Sequence, residues 1–295
     1  MTTIGSIVVA TDFSPASDAA VRRAWQLAVT HSASLCVLHA FDVSPSHGLT
    51  SVSDARRVTA EPPADERMRQ RLADLALSLA AQTGLEVDHH FGRGPPAKVI
   101  EAHVGSHGGS LVVIGSRAEP TLAGLGSTAL KVVRRPASPI LVVRVAEDRP
   151  YDTVLSAVDL RQGSVRAASV AVDLLPAAHH HLLFALDTRD VAAGADASGG
   201  LGTEPLRLLH ESLHVQADRE LQQLAQRLSA RARHPLVAVV ADDVPARAIL
   251  VGAADLGADC VVVGHHGRGT ATDSSLGSMA QHVIYAALSD VLVVP

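Results

Sequence analysis

The chain carries the same plan twice, and no other feature restricts its fold as much. IGSIVVATD at 4–12 resembles YDTVLSAVD at 151–159, which places Asp12 on Asp159 at an offset of 147. LVVIG at 111–115 matches CVVVG at 260–264 at an offset of 149. Gly126-Ser127 then matches Gly277-Ser278, and SPILVV from Ser138 matches SDVLVV from Ser289, both at 151. The step from 149 to 151 puts two extra residues in the second copy, between its fourth apolar run and its Gly-Ser pair. A duplicated chain of 295 residues is expected to fold as two like units, 1–146 and 151–295, joined near VAEDRPY at 145–151.

Each copy alternates short apolar runs with stretches of helical spacing. In the first, Val-rich runs near 4–10, 35–41, 85–91, 111–115 and 140–144 read as strands, and 16–31, 64–82, 97–107 and 127–135 as helices. In the second, strands fall near 153–158, 181–186, 236–241, 260–264 and 290–294, and helices near 164–175, 204–231, 245–256 and 277–287. Fully apolar strands separated by helices predict parallel sheets covered on both faces. The fold class is therefore α/β: two tandem, doubly wound, five-stranded parallel-sheet domains. The long connections at 42–63 and 187–203 are rich in Ser, Gly, Asp, Pro and Ala and read as loops, with DASGG at 196–200 a candidate for disorder.

Composition excludes several classes. With 47% hydrophobic residues and a net charge of -5, the chain lacks the basic face expected of a nucleic-acid binder. Its apolar runs are broken well before the roughly 20 residues of a membrane helix. MTTIGSIVVATDFS has no basic start and is interrupted by Asp12, so it does not read as a signal peptide, and a cytoplasmic location is expected. Cys36 and Cys260 each sit in an apolar run, which fits reduced core residues.

In an open parallel sheet, ligands bind beyond the carboxyl ends of the strands where the strand order reverses. For the order 3-2-1-4-5 that point lies between the first and fourth strands, which brings Asp159 beside Gly264. The loop that follows, GHHGRGTATDSSLGSM from Gly264 to Met279, is rich in glycine, and Gly277-Ser278 opens a helix whose first N–H groups favour an anion. On the residues alone, phosphate binding and a plain Gly-Ser helix cap stand side by side.

The spacing Gly264, two residues, Gly267, nine residues, Gly277, Ser278 resembles the nucleotide loop of the universal stress protein family, and the likeness extends to both halves and to the Asp that ends strand one. The resemblance implies that Asp159 and the backbone of Ala157 and Val158 face an adenine, with Ala185 lining its pocket. It implies that Val263, Gly264, His266 and Gly267 border the ribose and first phosphates, and that Gly277, Ser278 and Met279 hold the phosphate tail. The implied ligand is ATP, with ADP and AMP as alternatives and Mg2+ as a companion ion. It further implies that the halves pair through their fifth strands as an internal pseudo-dimer, with room for a homodimer and for a protein partner, in a stress response.

Arg161 stands where family members often have a Ser, the position held by Ser14 in the first half. The first copy departs further: Gly115-Ser116-Arg117-Ala118, seven residues, then Gly126-Ser127, so one glycine and two residues are missing. Asp12, Ala40, Gly115, Gly126 and Ser127 keep the corresponding places, and a degenerate structural domain is the competing reading for this half.

Other motifs have plainer explanations. His103/His107 and His210/His214 are spaced i, i+4, which can place two imidazoles on one face, but zinc needs further ligands; partly exposed helix histidines are expected, and no metal site. His179-His180-His181 reads as surface and strand edge. GRGPPA at 92–97 imitates a dinucleotide fingerprint but follows the third strand and loses two N–H donors to Pro95 and Pro96. No G-x-S-x-G and no G-x-x-x-x-G-K-[ST] occurs, and only Arg268 and Asp273 in the glycine loop could serve phosphoryl transfer, so binding with slow or no hydrolysis is expected. The rivals are a nucleotide-free interaction protein with structural glycine loops and a slow ATPase or autokinase.

Overall fold

The computed structural model describes residues 4–42, 63–116, 125–145, 148–187, 203–265 and 276–295. The first half runs β1 (Ser6–Ala10), α1 (Pro15–His31), β2 (Ser34–Phe41), α2 (Ala64–Thr83), β3 (Val87–Arg93), α3 (Pro96–His107), β4 (Leu111–Gly115), α4 (Ser127–Val133) and β5 (Ile140–Val143). The second runs β6 (Thr153–Ala157), α5 (Gln162–Leu174), β7 (His179–Ala185), α6 (Thr203–Ser229), β8 (Val237–Ala241), α7 (Pro245–Asp255), β9 (Cys260–Gly264), α8 (Ser278–Ala286) and β10 (Asp290–Val294). The strands anticipated from the apolar runs all form. The largest shifts are at β3, which reaches Arg93, and at β7, which begins at His179. Most of the two long connections, including DASGG, lies outside the described residues.

The halves share one ten-stranded sheet in the order β3-β2-β1-β4-β5-β10-β9-β6-β7-β8. Every neighbouring pair within a half is parallel, and the two halves meet where β5 and β10 run antiparallel, with Leu141 opposite Leu292. Pairing these two edges removes the exposed N–H and C=O rows that each half alone would present. The apolar alternation of the seam strands then feeds both faces. Leu141, Val143, Leu292 and Val294 pack with α1 and α5 residues such as Leu27 and Leu174. Ile140, Val142, Val291 and Val293 pack with Ile100, Val133, Ile249 and Ile284. The expectation of strands buried on both faces fails at β8, the last described strand of the sheet, where Val237 and Val239, on one face of the strand, are exposed.

Candidate functional site

Each half opens its sheet at the predicted point. The β6–β9 ladder stops at Ser156↔Val262, so Ala157 and Val158 diverge from Val263 and Gly264. The β1–β4 ladder stops at Val9↔Val113 in the same way. Parallel strands part here because their connections leave toward opposite faces of the sheet. The structure thus brings Ala157, Val158, Asp159, Val263 and Gly264 to one end of the sheet, with Ala185 at the end of the adjoining strand β7. His266 and Gly267, together with Arg268 and Asp273, lie outside the described residues.

The turn after each strand-one Asp is strained in both copies. Phe13 has φ 61° and Leu160 φ 63°, a left-handed backbone that costs a residue with a Cβ roughly 1–3 kcal/mol. The Asp holds the turn: Asp12 Oδ1 accepts from Ser14 N at 3.0 Å, and Asp159 Oδ1 from Arg161 N at 3.1 Å. In the first half Ser14 caps α1 by accepting from Ser17 N. Arg161 provides no such cap to α5. Ser164 instead braces the Asp itself, its hydroxyl accepting from Asp159 N at 3.0 Å and donating to Asp159 Oδ1 at 2.5 Å, and α5 has no side-chain cap. Burial pushes the Asp12 carboxyl up, but the hydrogen bonds from Ser14, Ser17 and the Asp12 backbone together outweigh it and leave the group below its ordinary value.

Across the opening, Gly277 is the N-cap residue of α8 and gives no side-chain cap, while Gly126 does the same for the seven-residue α4. Ser278 is exposed and Met279 half-buried, so the start of α8 is accessible. His265, which had no assigned role, proves to hold this region together. It is 2% exposed, donates its N–H to Val294 O at 2.7 Å and accepts from Gly277 N at 2.9 Å, which joins the two ends of the glycine loop. Its Nε2 lies 3.2 Å from Arg134 O at the end of α4 in the other half.

Two further differences between the copies lie at the opening itself. His39 is buried and its Nδ1 lies 2.8 Å from Thr11 O, so the first half engages that strand-end carbonyl with its own side chain. On β7 the residue before Ala185 is Phe184, which offers no donor to the matching Val158 carbonyl. The second difference is at the strand-four glycine. A Cβ on Gly115 would lie 2.5 Å from Ala16 O, whereas one on Gly264 would meet Gly163 and Ser164 backbone at 3.5 Å, ordinary contact. Packing alone explains Gly115 but not Gly264.

Asp290 is the other residue that sequence spacing did not single out. It replaces Pro139 of the first copy, is fully buried, and accepts from Arg144 N at 2.6 Å, Val145 N at 3.0 Å and Tyr151 Oη at 2.5 Å. The Arg23 guanidinium lies 3.9 Å from its Oδ2 and stacks 3.9 Å from the Tyr151 ring centre. These groups floor a cleft of about 550 Å3 at the amino ends of the second half's strands, opposite the predicted site. The cluster ties β5, α1 and the joint to β10, which gives it a structural explanation.

Among the described residues no group of three His, Cys, Asp or Glu is placed to hold a metal ion. His103 is buried rather than partly exposed, with its ring 4.6 Å from both His90 and His107. His210 and His214 face Asp242 on the surface. The surface expectation for His179–His181 is corrected at the middle residue: His180 is 1% exposed, with Nε2 2.8 Å from Leu175 O. Alternation along β7 turns that side chain inward. In GRGPPA, Gly92 serves packing, since a Cβ there would collide with Val99, and Pro96 begins α3. Cys36 and Cys260 are free, and burial pushes both thiols up, Cys36 to about 12.

Burial lowers the His90 and His103 imidazoles below their ordinary value, His107 adds to both shifts and His90 to that of His103, while Asp88 opposes. A base depressed by folding supports stability fully above its unfolded pKa and loses that support as pH falls through the folded value. The melting temperature should therefore fall as pH drops below about 6.5. His90→Asn should flatten that dependence in thermal scans from pH 8 to 5; an unchanged slope would count against the cluster as a source.

No helix among the described residues is long and apolar enough to cross a membrane. Comparison with known proteins bears on both halves. The model of the universal stress protein family matches residues 3–144 and again 150–295. The universal stress protein Rv2005c of Mycobacterium tuberculosis is 33% identical over 202 residues, which span 64% of this chain and 62% of that protein. The fold is similar to the crystal structure of a universal stress protein from Archaeoglobus fulgidus, with TM-score 0.65 and 18% identity over 98% of this chain and 97% of that one. A Pseudomonas aeruginosa PAO1 protein of unknown function gives TM-score 0.64 at 18% identity, over 99% of this chain and 93% of the other.

Proposed function

Since the chain belongs to the universal stress protein family, we propose that its second half binds ATP or a related adenine nucleotide as a regulatory ligand in a stress response. The observation that carries this reading is the opening between β6 and β9, with the accessible start of α8 beside Gly264. Asp159, with the Ala157 and Val158 backbone, takes the adenine, and Ala185 lines its pocket. Val263, Gly264, His266 and Gly267 border the ribose and first phosphates. Gly277, Ser278 and Met279 receive the phosphate tail, where unpaired helix N–H groups and the helix dipole favour negative charge. Mg2+ accompanies the phosphates.

The room around Gly264 and the lack of a donor at Phe184 support placing the ligand in this half. In the first half, His39 already meets the Thr11 carbonyl. Asp12, Ala40, Gly115, Gly126 and Ser127 then serve the turn and packing of a structural domain. The protein acts in the cytoplasm on a protein partner, through a shape that nucleotide occupancy shifts.

Acid extraction of the purified chain and calorimetric titration with ATP and Mg2+ test the reading. Asp159→Ala should weaken binding about tenfold or more, the scale of a hydrogen bond to a charged group. Absence of binding at millimolar ATP would refute the proposal and leave the interaction protein with structural glycine loops.

A further inference from the structure

We infer that the glycine loop of the second half is wired to the seam between the halves, so that a ligand seated there is felt by α4 and β5 of the first half. The inference rests on the nucleotide reading above and adds how occupancy is passed on.

Two described connections run from the loop's frame into the other half. At its start, His265 joins Gly277 N and Val294 O through its backbone and lies against Arg134 O through Nε2. Arg134 caps the carboxyl end of α4. At the far end of α8, the Arg144 guanidinium hydrogen-bonds Ile284 O, while the Arg144 and Val145 N–H groups bond Asp290 at the head of β10. The helix that would meet the phosphates is thus held at both ends by residues that also hold the first half's α4 and β5. A movement of Gly277 or of α8 cannot occur without changing these bonds, because buried donors and acceptors left without partners are costly.

Among the described residues the first copy has no counterpart to these two side-chain contacts. Ser116 stands in place of His265; its N–H bonds Val143 O just as that of His265 bonds Val294 O, but it carries no imidazole to reach across the seam as His265 reaches Arg134 O. At the offset of 151, the residue matching Arg144 is Pro295, which has no guanidinium. Coupling therefore runs from the second half's site to the first half.

Linkage makes the effect reciprocal: a ligand that tightens the seam must bind less well when the seam is loosened. Hydrogen exchange on the full-length chain, with and without saturating ATP and Mg2+, should show slower exchange in peptides covering 130–145 when nucleotide is bound. His265→Ala should weaken ATP binding by about 5-fold or more, within the usual range of allosteric coupling. His265→Gln, whose amide can still donate to Arg134 O, should recover most of the affinity. If His265→Ala does not fold, Arg144→Lys and the exchange experiment on the unaltered chain still decide. ATP binding with unchanged exchange at 130–145 would overturn the inference alone. No ATP binding by the unaltered chain would overturn it together with the nucleotide reading.

Discussion

Asp290→Ala should cost about 3–5 kcal/mol of stability, the scale measured when one partner of a buried ionic cluster is removed. Its carboxylate takes hydrogen bonds from Arg144 N, Val145 N and Tyr151 Oη, with Arg23 beside it, all in the interior of the seam. Burial pushes the Asp290 carboxyl above its ordinary value despite the downward pull of Tyr151, the two backbone donors and Arg23. Its own charge is therefore held at a net cost. The loss on truncation comes mainly from the partners left behind: a buried guanidinium, a phenol and two N–H groups at the end of β5. Asp290→Asn, which keeps an acceptor oxygen, should lose less. Denaturant unfolding of the three proteins measures this, and a loss below about 1 kcal/mol for Asp290→Ala would show that water or neighbouring groups replace the carboxylate.

The same substitution in the two copies should give opposite results. Gly115→Ala should destabilise by about 1–3 kcal/mol, because its Cβ would sit 2.5 Å from Ala16 O and 3.0 Å from Ser17 N, backbone atoms that can move only with the start of α1. Gly264→Ala meets nothing closer than 3.5 Å, so stability should hold or rise by about 0.4–1 kcal/mol as the unfolded chain loses freedom. Under the nucleotide reading, however, Gly264→Ala should weaken ATP binding, since the methyl group occupies space at the strand end beside the ligand. Melting temperature and ATP titration on both variants separate packing from binding. Equal destabilisation by the two would remove the argument that Gly264 is kept for something outside the protein's own packing.

The fold was legible because its signals are local and repeated. IVVA, LVVIG, CVVVG and VLVV are short buried strands in any context that covers both faces, and Pro15, Pro96 and Pro245 sit in the first turn of their helices. Repetition at offsets of 147–151 set β1, β4, the Gly-Ser start of α4 and β5 against their copies. The opening between the first and fourth strands followed from topology, so Asp159 and Gly264 could be placed together. A run of three histidines reads as polar surface, whereas alternation along a strand buries every second side chain, here His180. His103 was harder still, since its burial depends on His90 from another element.

By itself the sequence determined two α/β units, their element order and the one copy with an unbroken glycine spacing. The pairing of the fifth strands, implied by the family resemblance, takes its antiparallel register in one continuous sheet only in the tertiary structure, which alone decided that His265 and Asp290 bind across the seam and that Gly115 is required by packing while Gly264 is not. The reason is physical. Strand and helix signals arise from neighbours within a few positions, but the His265–Arg134 and Arg144–Asp290 contacts join residues 131 and 146 apart, and no local pattern records which distant groups burial will leave in need of a partner.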